Sequence, residues 1–273
     1  MVMKLIDAFL KLRIHVALLF FLLLLQKLDG LRYVELSAKI LIALSFTALT
    51  LSIYIFNKVT GMKEDRINNK KDTVAKKNKI ALSALGAILF FIPLVYLGTI
   101  NKNLALLYLG AGVLGFFYSF EVRIFSLQLP LKRILFVKNV ASAFGWSATI
   151  MLIPFILGNA WTPDTSGIWL ILFLTILSVE ILWDIKDIKG DKENKIKTIP
   201  NTYGIAIAKK MVWSLLFFVL IMMIAFRNSP TYFIGIVLMA IATYLVKEKS
   251  QLFFYHAIVF VWIALLVLEV FII

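Results

Sequence analysis

The feature that most constrains this chain is a series of apolar runs, several of them about as long as a bilayer crossing. A helix needs about 20 apolar residues to cross a hydrocarbon core. Of the 273 residues, 62% are hydrophobic and 16% are charged, whereas roughly a quarter of the residues in a soluble domain are charged. Because hydrocarbon offers no partners for backbone amides, each run must form a helix. The sequence therefore predicts an all-α, polytopic membrane protein.

Nine helices are predicted, separated by short polar stretches and by breaks that contain Pro or Gly. Asn228-Ser229-Pro230 marks one of these breaks. The predicted helices are near 14–28, 35–57, 79–98, 103–120, 134–157, 167–183, 206–226, 231–246 and 252–272.

The distribution of Lys and Arg supports this count and predicts an orientation. The N-terminal segment, the loops after helices two, four, six and eight, and the helix ends beside those loops contain 24 of the 29 basic residues. The alternate loops, with the helix ends beside them, contain 4. By the positive-inside rule, the N-terminus is cytoplasmic and the C-terminus is outside. We therefore expect a multi-pass protein of the cell membrane, with its long basic loops in the cytoplasm.

The formal net charge of +14 does not indicate nucleic acid, because the basic residues lie in short loops between apolar spans and no nucleic-acid-binding motif is apparent. Cationic loops at a membrane surface attract anionic lipid headgroups and phosphorylated substrates. We expect the lipid bilayer as a partner and no nucleic acid.

The two long cytoplasmic loops are four helices apart, and both are rich in acidic residues. This spacing suggests an internal repeat. We expect a single membrane domain over 1–273, with a pseudo-repeat of 14–120 and 134–246 and a ninth helix at 252–272.

The acidic segment after helix six contains Asp184, Asp187 and Asp191. On a helix, this spacing places the three carboxylates within an arc of about 60°. Hard oxygen ligands of this kind suit Mg²⁺, which also bridges to substrate phosphates. Lysines alternate with the aspartates and offer contacts to phosphate oxygens. The alternative is a solvated helix end stabilised by Asp–Lys pairs.

A weaker counterpart follows helix two. Asn57, Gly61 and Asp65 are spaced to share one helix face, and Glu64 is adjacent to Asp65. Taken alone, a polar helix end explains them. Paired with the three aspartates, they become a candidate second half of one site, in which two acidic helix ends grip a diphosphate through Mg²⁺.

These motifs resemble those of the UbiA superfamily of intramembrane prenyltransferases. Asp184-Ile-Lys-Asp187-Ile-Lys-Gly-Asp191, with Lys197-Thr198-Ile-Pro200 and Gly204 after it, is similar to the second aspartate-rich motif of that family. The first motif of the family is Asn-Asp-x-x-Asp-x-x-x-Asp. Asn57 and Asp65 match it, whereas Lys58 and Gly61 replace its intervening aspartates.

The stretch after helix four adds to the resemblance. Tyr118-Ser119, Arg123, Lys132-Arg133 and Lys138-Asn139 are similar to a segment of the family whose basic residues face the diphosphate. The Tyr-x-x-x-Lys spacing of the family is not reproduced, because Val122 stands where its lysine would be.

The resemblance implies a UbiA-like bundle with a cytoplasmic cap and a Mg²⁺-dependent enzyme. It would transfer a polyprenyl group from a polyprenyl diphosphate to a hydrophobic acceptor, either aromatic or lipid-like. Asp184, Asp187 and Asp191 would ligate one Mg²⁺, and Asn57, Glu64 and Asp65 would assist a second. Diphosphate contacts are expected from Asn57, Tyr118, Arg123, Lys132 and Lys138.

Two further functions remain as alternatives. An ion-coupled transporter is one, because repeats with acidic sites also occur there; against it, the carboxylates lie at helix ends and not at the midpoint of a span. A paralogue that binds prenyl lipid without turnover is the other, because Gly61 removes a carboxylate from the first motif. The Asp-Gly…Ala-Arg…Gly…Asp…Asp pattern of CDP-alcohol phosphotransferases is not found.

Overall fold

The computed structural model describes residues 9–10, 12–60, 78–119, 122–124, 127–129, 134–226, 230–247 and 252–271. In this part of the chain the architecture is helical apart from one short hairpin. The elements are α1 (Ile14–Asp29), α2 (Leu36–Thr60), α3 (Lys79–Ile100), α4 (Lys102–Ser119), β1 (Val122–Ile124), β2 (Leu127–Leu129), α5 (Val137–Ile156), α6 (Pro163–Glu193), α7 (Ile199–Tyr203), α8 (Ile205–Ala225), α9 (Pro230–Leu245) and α10 (Leu252–Phe271).

The all-α prediction is confirmed, and each of the nine predicted helices corresponds to a long helix among the described residues. Five of them, α2, α3, α5, α6 and α8, are long and apolar enough to cross a membrane. Nine crossings and the cytoplasmic cap stay predictions. The short helix α7 and the antiparallel β1–β2 hairpin, in which Arg123 is opposite Gln128, were not predicted.

Helix α6 differs most from its predicted bounds, because it continues ten residues past 183 to Glu193. It begins at a capping box, in which the side chains of Thr162 and Thr165 bond to each other's backbone N–H, and Pro163 occupies its first turn. Its 31 residues correspond to a length of about 46 Å. A hydrocarbon core is about 30 Å thick, so α6 is long enough to extend its acidic last turns past the apolar layer.

The chain forms two compact units, and the first consists of Met1–Phe120 with Leu152–Asn159. Helix α2 is central in it and packs against α1, α3 and α4. Gly112 and Gly115 allow α4 to approach closely, since a Cβ at these positions would collide with Phe90 and Ile53.

A hydrogen bond between α3 and α4 compensates for a proline within the first unit. Pro93 lies inside α3 and has no N–H to donate to the carbonyl oxygen of Leu89. The hydroxyl of Tyr108, a fully buried residue of α4, donates to that oxygen at 3.0 Å. In an apolar layer no water is present to do so. Tyr108 therefore satisfies a backbone group that the helix itself leaves open.

We expect Tyr108→Phe to lower the free energy of unfolding by about 0.5–1.5 kcal/mol, the usual net value of such a hydrogen bond. The thermal unfolding midpoint of the purified chain in detergent would measure this loss. Tyr203→Phe is the matched control, because Tyr203 is 55% exposed. Equal midpoints for the two variants would contradict the compensating role of Tyr108.

The second unit consists of Glu121–Met151 with Ala160–Ile273. Helix α6 packs against α8, the short α7 packs against both, and α9 lies between α8 and α10. Gly235 of α9 provides room for the Trp262 ring of α10. This unit contains the whole of the second aspartate motif.

Candidate functional site

The three aspartates of α6 lie on its last turns, and two of them are removed from solvent. Asp184 is 4% exposed and Asp191 is 7% exposed, while Asp187 is half-buried. The lysines at 189, 192, 195 and 197 are exposed. Burial of two carboxylates on one face does not fit a solvated mixed-charge helix end, because buried charges are costly unless they are paired.

Lys138 of α5 provides the compensating charge. Its Nζ donates to Oδ1 of Asp184 at 2.8 Å and lies 3.6 Å from Oδ2 of Asp191. The Lys138 side chain is only 10% exposed. The ammonium group thus lies near both buried carboxylates and reduces their mutual repulsion.

Asn139, the next residue of α5, completes the pairing of Asp184. Its Nδ2 donates to Oδ2 of Asp184 at 2.8 Å. Both carboxylate oxygens of Asp184 are therefore engaged by α5. This arrangement fixes the position of Lys138, and it makes Asp184 the most constrained of the three aspartates.

Lys186 is the second cation of the site and lies among aromatic rings. Its Nζ donates to Oδ2 of Asp187 at 2.6 Å, and it lies 5.2 Å from the ring centre of Trp183 and 6.0 Å from that of Tyr255. Ring faces attract a cation at such distances. His256 of α10 packs edge-on against Trp183. Helix α10 thereby contributes to the surroundings of the aspartates.

The donor set suits a hard divalent cation bound through two carboxylates. Oδ2 of Asp191 is buried and accepts no hydrogen bond from the described residues. A buried carboxylate oxygen in that state is costly, and a cation would satisfy it. No group of three or more His, Asp or Glu side chains converges as a metal site in the described part of the chain. Asp187 and Asp191 fit Mg²⁺ that retains water or phosphate ligands.

The segment after α6 folds back through a side-chain-stabilised turn. Asn201 accepts from the backbone N–H of Thr198 at 2.9 Å and donates to the carbonyl oxygen of Ile196 at 2.7 Å. Gly204 then links α7 to α8 with a φ of 88°, a conformation in which glycine carries no steric penalty. These contacts explain why the motif continues to Gly204.

The structure locates the other predicted site residues as follows. Asn57 lies in the last turn of α2, half-buried, within the first unit. Tyr118 is at the end of α4 and Arg123 is in β1, and only their backbone is described. Gly61, Glu64, Asp65 and Lys132 lie outside the described residues.

Four residues near the aspartates were not among the assigned site residues: Asn139, Glu180, Lys186 and Tyr255. Asn139 and Lys186 belong to stretches already noted in the sequence, and Glu180 had a signal of its own. Glu180 is a carboxylate four residues before Asp184 within an apolar run, and ionisable groups in such places suggest function. The partners of Asp184 come from α5, and Tyr255 reaches Lys186 from α10, so no local pattern indicates these contacts.

The comparisons with known proteins agree with these motifs. A sequence model of the UbiA prenyltransferase family matches residues 18–255. None of the curated proteins is similar enough in sequence to count as a match.

Three solved structures are similar in fold. A UbiA homolog from Archaeoglobus fulgidus bound to GPP and Mg²⁺ is 17% identical, with a TM-score of 0.67 over 94% of this chain and 97% of that one. The A. fulgidus homolog bound to DMAPP and Mg²⁺ is 17% identical, with a TM-score of 0.68 over 97% and 99%. The apo UbiA homolog from Aeropyrum pernix K1 is 14% identical, with a TM-score of 0.67 over 93% and 95%. Because the family model covers most of its length, the chain belongs to the UbiA prenyltransferase family.

Proposed function

We propose that this membrane protein catalyses Mg²⁺-dependent transfer of a polyprenyl group from a prenyl diphosphate to an aromatic or lipid-like acceptor, with release of pyrophosphate. The observation that carries the proposal is the pair of buried carboxylates, Asp184 and Asp191, held by Lys138 at the end of a long apolar helix. Support comes from the A. fulgidus homologs, which were solved with GPP or DMAPP and Mg²⁺.

The proposed roles of the three aspartates are unequal. Asp187 and Asp191 are the principal Mg²⁺ ligands of this motif. Asp184, whose oxygens both accept hydrogen bonds from α5, contributes to the metal chiefly by placing Lys138 beside Asp191. When bound, Mg²⁺ neutralises charge that develops on the departing pyrophosphate.

Basic residues complete the diphosphate site in this proposal. Lys138 contacts a phosphate oxygen from α5, and Arg123 and Lys132 do so from the segment before it. Tyr118 and Asn57 provide hydrogen bonds, and Asn57, Glu64 and Asp65 assist a second Mg²⁺. Fixed cations aimed at developing negative charge are an efficient source of transition-state stabilisation.

The reaction breaks the bond between C1 of the prenyl group and the bridging oxygen of the diphosphate. Both electrons leave with pyrophosphate, C1 bonds to the acceptor nucleophile, and the acceptor loses one proton. The apolar helices exclude water from the allylic cation and align the two substrates. The lipid bilayer supplies both hydrophobic substrates, and we place the N-terminus in the cytoplasm and the C-terminus outside.

The proposal predicts pyrophosphate release when the purified chain in detergent receives Mg²⁺ and prenyl diphosphates of several chain lengths. A pyrophosphate assay measures the rate, and EDTA should abolish it. Absence of both release and diphosphate binding would contradict the proposal and favour an ion-coupled transporter. Binding without release would favour a non-catalytic prenyl-lipid-binding paralogue, and Gly61→Asp would then test whether the missing carboxylate restores turnover.

A further inference from the structure

A second polar contact links α5 and α6, one helical turn nearer to the apolar part of α6 than Asp184. The hydroxyl of Ser142 donates to Oε1 of Glu180 at 2.7 Å. Glu180 precedes Asp184 by four residues, and Ser142 follows Asn139 by three, so each pair shares a helix face. The rise between Glu180 and Asp184 is about 6 Å. We name Ser142 and Glu180 the inner pair.

The location of the inner pair is unusual for a carboxylate. Glu180 is flanked along α6 by the buried residues Leu177, Ile181 and Leu182. An ionisable side chain in an apolar span is costly to maintain. Glu180 and Ser142 are both half-buried, so neither side chain is fully enclosed by the protein. Without an intervening cation, this carboxylate would repel the diphosphate, so direct contact between the two is unfavourable.

The side-chain oxygen of Asn139 indicates that a ligand at this site would donate hydrogen bonds. Asn139 is fully buried and donates to Asp184, but its Oδ1 accepts no hydrogen bond from the described residues. An amide oxygen and an ionised carboxylate only accept hydrogen bonds. Two acceptors one turn apart favour a ligand with hydroxyl donors, and the carboxylate disfavours an acidic ligand.

We infer that the inner pair binds the acceptor substrate, that this acceptor is a neutral lipid-soluble phenol or alcohol, and that Glu180 takes its proton. The inference rests on the proposed prenyl transfer. As C1 of the prenyl group separates from pyrophosphate, it bonds to the hydroxyl oxygen or to a ring carbon activated by that hydroxyl. The proton lost by the acceptor moves to the Glu180 carboxylate and then to water. Ser142 positions Glu180, and the Asn139 oxygen adds to the acceptor character of the site, which disfavours an anionic ligand.

The test compares three probes of one shape, para-dodecylphenol, its methyl ether and para-dodecylbenzoic acid. Their binding to the full chain in detergent is measured by quenching of tryptophan fluorescence, and geranyl diphosphate binding with Mg²⁺ is measured in parallel. We expect the phenol to bind at least about tenfold more tightly than the other two, equivalent to about 1.4 kcal/mol. Glu180→Leu should remove this preference, Ser142→Ala should weaken it, and Glu193→Gln, a change at an exposed carboxylate of the same helix, should retain it.

Turnover tests the proton transfer. With the phenol saturating, Glu180→Gln should form prenylated product roughly 100-fold more slowly than the wild type, a common loss when a general base is removed, while geranyl diphosphate binding is unchanged. A phenol that binds with no preference, or a preference retained in Glu180→Leu, overturns the acceptor site. A bound phenol prenylated no faster by the wild type than by Glu180→Gln overturns the proton-acceptor role. If either of these results is obtained while the wild type still binds geranyl diphosphate, the proposed function is not contradicted. If the wild type does not bind geranyl diphosphate, both the proposed function and this inference are overturned.

Discussion

Asp191→Asn and Asp187→Asn are each expected to reduce pyrophosphate release by at least roughly 100-fold, the usual scale for loss of a group that stabilises transition-state charge. Asparagine retains the size of aspartate but offers no anionic oxygen to a divalent cation. The effect should be largest for Asp191, because its Oδ2 is the buried oxygen without a hydrogen-bond donor among the described residues. Removal of its charge eliminates the strongest cation ligand of the site.

The measurement is the rate of pyrophosphate release as a function of Mg²⁺ concentration, with geranyl diphosphate as substrate. Each variant should also require more Mg²⁺ for half of its residual rate. Asp164→Asn is the matched control, since Asp164 is an exposed aspartate in the first turn of the same helix. Wild-type rates in both motif variants would show that Asp187 and Asp191 serve the fold and not the reaction.

The second large effect concerns stability. We expect Asp184→Ala to lower the free energy of unfolding by about 3–5 kcal/mol, the typical result of breaking a buried ion pair from one side. The change leaves the Lys138 ammonium without its 2.8 Å partner and removes the acceptor of the buried Asn139 amide. In the variant, Lys138 keeps only its longer contact with Asp191, at 3.6 Å, so its charge is less well compensated.

A variant of the same size as aspartate provides an internal control. Asp184→Asn retains a side-chain oxygen that can accept from Lys138 or Asn139, so it should unfold at a higher temperature than Asp184→Ala. The thermal midpoint in detergent measures both. Glu193→Ala changes an exposed carboxylate of α6. It should alter the free energy of unfolding by less than about 0.5 kcal/mol, so its thermal midpoint should stay close to that of the wild type. If Asp184→Ala behaves like Glu193→Ala, the ion pair contributes nothing to the fold.

Most of the helical architecture follows from local sequence properties. Runs of about 20 apolar residues form helices whatever their neighbours, because a bilayer leaves backbone groups no other partners. The bounds were least accurate where polarity changes inside one helix. The apolar pattern predicted an end at 183, whereas α6 continues to Glu193. It ends there at Asn194, whose side-chain amide and backbone N–H both donate to the carbonyl oxygen of Gly190.

The aspartate motif was predictable as a pattern but not as an arrangement. The spacing of Asp184, Asp187 and Asp191 indicated one helix face, and the structure shows that all three belong to α6. Their separate roles were not predictable, since Asp184 is engaged by α5 and Asp187 by Lys186. The contribution of the first motif stays a prediction that rests on Asn57, Glu64 and Asp65.

By itself, the sequence determined that this chain is a helical membrane protein of the UbiA type with a face of three aspartates, because apolar length, backbone hydrogen bonding and helical period are local properties. Only the tertiary structure decided that Lys138 and Asn139 pair with Asp184, and that Ser142 pairs with Glu180. These partners are 38 to 46 residues apart in the chain. Which faces meet depends on how two helices pack, and no periodicity within either helix specifies that.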